Sequence, residues 1–203
     1  MDPYGKQELL SFFDRQLRDH GDTPQALRWT PEGQRLRYEA FRGIVGNLEG
    51  RSLLDFGCGK GDFYGFLRDR GALVAYCGID VNAGLVAMAR RKYPETEFLT
   101  LDVEETPWQR RFDVVVACGV FNLRIGGIAA SLLETTKILF GLCRESLHLN
   151  VLTARTPRRD VELHYVEPVD LLRFALDELS PIVTLRHGLV PDDAYLSVYR
   201  CGS

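Results

Sequence analysis

The chain has 203 residues, of which 45% are hydrophobic, and a formal net charge of −3 at pH 7. This length suits one globular domain with a sizeable core. The small negative charge gives no broad electrostatic reason to expect a nucleic acid partner, and no apolar run approaches the ~20 residues that a membrane span needs. The N-terminus lacks the basic region and long apolar stretch of a signal peptide, so we expect a cytoplasmic protein without a membrane partner.

The five cysteines are widely spaced and form no CxxC pair and no Cys/His cluster. This spacing predicts neither a metal site nor a disulfide framework, and it fits a reducing compartment. We expect Cys58 and Cys118 to be small packing residues rather than nucleophiles, because no nearby His pairs with either.

Residues 1–50 are predicted to form an N-terminal helical extension or lid. An amphipathic pattern indicates a helix over 7–19. A second helix is predicted to begin at Pro31 after a Thr30 cap and to reach about residue 48.

From residue 51 to 203 short apolar runs alternate with helical patterns. The predicted strands cover 52–56, 73–79, 97–103, 112–117, 147–152, 182–187 and 194–200, and the predicted helices cover 62–70, 83–92, 127–145 and 168–178. The alternation predicts an α/β fold with a doubly wound, mostly parallel seven-stranded sheet. The last two strands have only a short connection, so we expect them to pair antiparallel. Ligands of such sheets bind beyond the carboxyl ends of the strands.

One glycine-rich segment, Asp55-Phe-Gly-Cys-Gly-Lys-Gly-Asp62, joins the first predicted strand to a helix. Glycines at positions 57, 59 and 61 remove the Cβ from three of the five turn residues, so another molecule can lie directly against the backbone. We expect Asp62 to be the N-cap of the following helix. The spacing is not the GxGxxG of a dinucleotide site, and no GK[ST] of a Walker loop is present.

This acidic-x-Gly-x-Gly-x-Gly spacing resembles the first motif of the class I S-adenosylmethionine-dependent methyltransferases, and the resemblance covers about residues 52–200. It implies a Rossmann-like fold, S-adenosyl-L-methionine as cofactor and S-adenosyl-L-homocysteine as product. It also implies that Asp80 accepts both ribose hydroxyls. The cofactor-binding residues implied in full are Asp55, Gly57, Cys58, Gly59, Gly61 and Phe63 in the first motif, Asp80, Val81 and Asn82 after strand two, Asp102 and Val103 near the adenine, and Cys118 and Gly119 on the sulfonium side.

The N-terminal extension carries a pattern, Trp29 followed by Gly-Gln and Arg37, that together with GVFN and the ending VPDDAYLSVYR resembles a set of small bacterial methyltransferases. Arg37 is a candidate partner for the cofactor carboxylate, since a guanidinium holds a carboxylate in bidentate fashion; the alternative is a solvated charge on a helix face. Trp29 is either a wall of the acceptor pocket or a lid that packs on the core.

The acceptor is expected to be a small molecule, methylated on O or N. The segment Cys118–Asn122 is not the Asn/Asp-Pro-Pro-aromatic motif of amino-methylating DNA enzymes. The paired glutamates of protein arginine methyltransferases and the metal-binding acids of catechol methyltransferases are also missing from their places. The candidate substrate-binding residues are Trp29, Tyr38, Asn122, His164 and Tyr165, and the candidates for a catalytic role are Asn122, His164, Tyr165 and His148.

The sequence therefore predicts a methyltransferase that works by positioning and desolvation, as a monomer or a homodimer. Two alternatives stay open. The first is a non-methyl transfer from the same cofactor. The second is a catalytically silent cofactor-binding or scaffold subunit that needs a partner chain.

Overall fold

A computed structural model describes residues 1–202. The helices are α1 (Pro3–His20), α2 (Pro31–Val45), α3 (Asp62–Arg68), α4 (Ala83–Lys92), α5 (Ile128–Leu142) and α6 (Pro168–Glu178), with a short 3-10 helix at Pro24–Leu27. The strands are β1 (Ser52–Phe56), β2 (Ala75–Asp80), β3 (Glu97–Thr100), β4 (Phe112–Ala117), β5 (Cys143–Thr153), β6 (Tyr165–Val166), β7 (Val183–His187) and β8 (Asp193–Tyr199).

The strands form one sheet in the order β3-β2-β1-β4-β5-β8-β7, and β6 pairs with the end of β5. All pairs are parallel except those of β8, which lies antiparallel to β5 and β7. The predicted doubly wound sheet and its antiparallel last strand are confirmed. The sheet has one strand more than the seven predicted. This strand, β6, has only two residues, and so short a segment shows no periodicity in the sequence.

Helices cover both faces of the sheet. α2, α3 and α4 bury Phe41, Phe63 and Val86 against one face, while α5 and α6 bury Leu139 and Leu171 against the other. The continuous apolar runs of β1 and β4 follow from this burial on two sides. The central strands are thereby fixed, and their carboxyl ends meet at one edge of the sheet.

Two local expectations about helix starts and strand ends were wrong. The N-cap of α3 is Gly61, in the left-handed region with φ of 78°, and Asp62 is the first helical residue. Its carboxylate instead contacts Lys60 at 2.5 Å and Lys92 at 2.6 Å. β3 ends at Thr100, so Asp102 lies in the turn after the strand rather than in it.

α1 begins at Pro3, earlier than predicted, because Asp2 caps it. The Asp2 carboxylate accepts a hydrogen bond from the N–H of Gly5 at 2.7 Å. The expected Thr30 cap of α2 is confirmed by the 3.0 Å bond that its hydroxyl accepts from Gly33 N. No helix within residues 1–202 combines the length and the apolar character needed to cross a membrane.

Candidate functional site

A cavity opens at the carboxyl ends of β1, β2 and β4, next to the reversal of strand order between β1 and β4. Such a reversal is the usual ligand position in doubly wound sheets. The predicted cofactor residues that line the cavity are Asp55, Gly57, Cys58, Gly59, Phe63, Asp80, Val81, Asn82, Asp102, Cys118 and Gly119. Trp29 and Tyr38, predicted to contact substrate, line it as well.

The glycine loop, residues 57–61, is held against the end of β2. The N–H groups of Gly57 and Cys58 donate to the carbonyl oxygen of Ile79 at 2.8 and 3.0 Å. Gly57 has a φ of 70°, and a Cβ built on it would lie 2.5 Å from Cγ2 of Val120. Only glycine fits this position, so the loop can present its backbone to a ligand.

Asp80 closes β2 and is tied to the glycine loop. Its Oδ2 accepts from Gly59 N at 2.9 Å, and its Oδ1 accepts from Asn82 N at 2.8 Å. Burial raises the pKa of Asp80. Each carboxylate oxygen keeps a second lone pair, so the group can still accept from two neighbouring hydroxyls of a ligand.

Asp55 is a fully buried carboxyl group in the wall of the cavity. The Tyr76 hydroxyl donates a hydrogen bond to it. Burial raises the pKa of Asp55 to about 7, and the charge of Asp80 acts in the same direction, against the Tyr76 hydrogen bond. A cationic ligand group placed here would favour the ionised carboxylate.

The turn after β4 forms the opposite wall. Gly119 N donates to Asn150 Oδ1 at 2.7 Å. The φ of Gly119 is 71°, and a Cβ there would lie 2.4 Å from Cζ2 of Trp29, so the absence of a side chain lets the indole ring pack on the turn. Burial raises the pKa of the Cys118 thiol, which disfavours a thiolate nucleophile.

α1 closes the cavity from the side of the N-terminus. Leu9, Leu10 and Phe13 line it. Lys6 pairs with Asp102 at 2.6 Å, which ties the helix to the turn after β3. The sequence revealed the apolar face of this helix but not what it covers, because amphipathicity does not name a partner.

Three of the predicted cofactor residues, Gly61, Val103 and Arg37, do not line this cavity. Arg37 instead holds Asp193, with its Nε 2.8 Å from Oδ2 and its Nη2 2.8 Å from Oδ1. Asp193 has no exposed surface, and Asn150 Nδ2 also donates to it, at 2.7 Å. Sequence reasoning missed Asp193 because its partner lies 156 residues away.

The candidates for a catalytic role are dispersed. His148 is buried in the sheet between the hydroxyls of Ser146 and Ser197, each 2.9 Å from a ring nitrogen. Burial lowers its pKa to about 4. These contacts indicate that His148 stabilises the sheet and does not contact a ligand.

Three candidates lie nearer the turn after β4. His164 Nδ1 is 3.0 Å from the carbonyl oxygen of Phe121, and the Tyr165 hydroxyl accepts from Asp160 N at 2.8 Å. Asn122 lines a second pocket that adjoins the first.

Residues 1–202 contain no cluster of three His, Cys, Asp or Glu side chains suited to a metal ion.

Comparison with known proteins gives one consistent class. Residues 53–139 match a family described as a methyltransferase domain. A Mycobacterium tuberculosis protein named as a methyltransferase is 29% identical over 154 residues, which cover 71% of this chain and 90% of that protein.

Solved structures agree in fold. Magnesium protoporphyrin IX methyltransferase from Synechocystis, with bound S-adenosylhomocysteine, has a TM-score of 0.68 at 17% identity and covers 97% of this chain and 100% of its own. The Burkholderia thailandensis 1,6-didemethyltoxoflavin-N1-methyltransferase has a TM-score of 0.68 at 15% identity, covering 98% of this chain and 91% of its own. The family match begins in β1 and ends in α5, and so takes in the glycine loop, Asp80, Asp102 and the turn after β4. Residues 53–139 therefore match a methyltransferase domain, and the chain shares the fold of methyltransferases solved with bound S-adenosylhomocysteine.

Proposed function

We propose that the chain binds S-adenosyl-L-methionine in the main cavity and transfers its methyl group to oxygen or nitrogen of a small-molecule acceptor. The observation that carries this proposal is that Asp55, the glycine loop, Asp80 and Asp102 all surround one cavity at the strand-order reversal. Among the similar structures, two enzymes named for magnesium protoporphyrin IX and 1,6-didemethyltoxoflavin act on small molecules.

Each group in the wall has a role that its chemistry supports. Asp55 and the backbone of Gly57, Cys58 and Gly59 hold the methionine end, and Asp80 accepts the ribose hydroxyls. Asp102 lies near the adenine. Arg37 is left out of the cofactor contacts because its guanidinium is already paired with Asp193.

The cofactor supplies an activated methyl group on a sulfonium. When bound, the cofactor would give its methyl carbon to the acceptor atom, its sulfur would keep the electron pair of the broken carbon–sulfur bond, and the acceptor would lose a proton to solvent. The protein holds the reactants in line and excludes water. The N-terminal extension, 1–50, acts as the lid of the domain over 51–203, and α1 contributes by closing the cavity.

We expect the protein to work in the cytoplasm, as a monomer or a homodimer. Its five cysteines are free, and three of them are buried. Unpaired thiols fit a reducing compartment.

Calorimetry with S-adenosylmethionine and S-adenosylhomocysteine tests the proposal. We expect both to bind, and Asp80→Ala to weaken S-adenosylhomocysteine binding by about 10- to 100-fold, the range for hydrogen bonds to a charged group. The matched control is Asp69→Ala, because the Asp69 side chain is 62% exposed and Asp69 does not line the cavity. Failure of the intact protein to bind either compound would overturn the proposal.

Transfer is measured separately, by incubating a metabolite extract with methyl-labelled cofactor. A labelled small molecule is expected from the intact protein, and in much lower yield from Asp80→Ala at the same cofactor concentration. Binding without any labelled product would instead support a silent cofactor-binding subunit.

A further inference from the structure

A second pocket adjoins the main cavity on its acceptor side. Trp29, Gly119 and Val120 line both spaces. The far walls of the second pocket are apolar and include Phe12, Leu123 and Leu163. A molecule in this pocket therefore contacts the same wall that we assign to the sulfonium side of the cofactor.

Two polar atoms of this pocket's residues stand out. Within residues 1–202, two buried side-chain polar atoms have no hydrogen-bond partner, Arg28 Nη1 and Asn122 Oδ1. Both residues line the second pocket. One atom is a donor and the other an acceptor, and unsatisfied buried polar groups are rare enough in proteins to need an explanation.

Both positive charges around the pocket already have carboxylate partners. Arg28 Nη2 lies 2.7 Å from Asp160 Oδ2 and 2.8 Å from Glu162 Oε2. Arg37, which also lines the pocket, is paired with Asp193. Neither guanidinium lacks a carboxylate, so the pocket gives an anionic ligand no uncompensated positive charge.

The backbone at Arg28 is unusual as well. Its φ is 58°, in the left-handed region that residues other than glycine seldom adopt. The ion pairs to Asp160 and Glu162 join this position to the loop before β6. Residues held in such conformations cluster at ligand-binding sites.

We propose that the second pocket binds the methyl acceptor, and that the acceptor is an uncharged molecule with an apolar body and an amide-type polar group. The carbonyl oxygen of this group accepts from Arg28 Nη1, and its N–H donates to Asn122 Oδ1. An amide carries an acceptor and a donor side by side without a net charge. The apolar body packs against Phe12, Leu123 and Leu163. This inference rests on the proposed function, since it names the substrate class of the same site.

Four fragments with one ring test the inference: benzamide, benzoate, benzylammonium and toluene. Each is titrated into the protein saturated with S-adenosylhomocysteine, and the Kd is taken from chemical shifts in the ¹H–¹⁵N spectrum. We expect benzamide to bind at least about fivefold more tightly than each of the others, the ratio for one net hydrogen bond. The shifts should centre on the amides of Gly119 and Leu123. Tighter binding of benzoate or benzylammonium, or equal binding of toluene, would overturn the inference.

Two variants assign the contacts. Arg28→Met and Asn122→Leu keep the apolar bulk, and each should remove the preference for benzamide over toluene while leaving the Kd of S-adenosylhomocysteine unchanged. The control is Arg158→Met, an exposed arginine on the loop that carries Asp160 and Glu162, which does not line the pocket. Unchanged benzamide preference in both pocket variants would also overturn the inference.

The cofactor titration separates the two proposals. Normal S-adenosylhomocysteine binding without benzamide preference contradicts the substrate class alone. Absence of S-adenosylhomocysteine binding contradicts the proposed function, and with it the inference.

Discussion

Asp55 is a carboxyl group whose charge depends on what occupies the cavity. It is 2% exposed and accepts a hydrogen bond from Tyr76. Burial raises its pKa to about 7, so without a ligand both the protonated and the ionised form occur near neutral pH. The ammonium group of the methionine end, placed beside it, would stabilise the ionised form and lower this pKa.

Binding of S-adenosylhomocysteine should therefore release a proton and strengthen as pH rises toward 7. Below the pKa that Asp55 has without ligand, its carboxyl group must lose a proton before the ligand binds. The affinity for S-adenosylhomocysteine therefore falls by up to about tenfold for each pH unit below 7. Calorimetry in buffers of different ionisation enthalpy measures the released proton. Asp55→Asn should bind weakly and without this dependence. Equal affinity at about pH 5.5 and 7 in the intact protein would contradict the assignment.

At the scale of elements, α1 is the part of the extension that closes the cavity. Leu9 and Phe13 pack against the core, and Lys6 reaches Asp102. The contacts of α1 are few compared with those of a central strand, so we propose that this helix can open without unfolding the sheet.

Amide hydrogen exchange should show this difference. We expect exchange of α1 amides to slow when S-adenosylhomocysteine binds, because the ligand adds contacts under Leu9, Leu10 and Phe13. The amides of β8 serve as the internal control and should not change, since that strand is paired on both sides by β5 and β7. Equal protection of α1 with and without ligand would contradict a role as lid.

At the scale of the whole molecule, one polar chain joins the extension to the end of the sequence and to the site. Arg37 on α2 pairs with Asp193 at the start of β8, Asn150 on β5 donates to Asp193, and Gly119 donates to Asn150. Trp29 lies over the same place, with the Arg37 guanidinium 5.3 Å from its ring centroid. These polar contacts hold in place the turn after β4, which separates the two pockets.

Arg37→Met should lower the free energy of unfolding by about 3–5 kcal/mol, because it leaves a buried carboxylate without its cation. Adding Asp193→Asn should recover part of the loss, and chemical denaturation measures both. Arg42→Met is the control on the same helix, since its ion pair with Glu39 is exposed and contributes about 0–1 kcal/mol. A loss no larger than that of the control would show that the buried pair is not required.

Much of the site could be predicted because its residues follow strand ends. Asp55, Asp80 and Asp102 come at or just after the carboxyl ends of β1, β2 and β3, and parallel strands bring those ends to one edge. Local sequence patterns were enough to predict the approximate positions of these three residues. The N-cap of α3 was a local error, since Gly61 and Asp62 were both plausible caps and the left-handed turn selected glycine.

The sequence by itself determined the order of strands and helices, the glycine loop and the acidic positions after the strands, because these depend on short-range periodicity and turn chemistry. Only the tertiary structure decided that Arg37 holds Asp193, that α1 covers the cavity and that Arg28 and Asn122 share a second pocket. Those contacts join residues far apart in the chain. Their formation depends on how whole elements pack, and no local pattern encodes that packing.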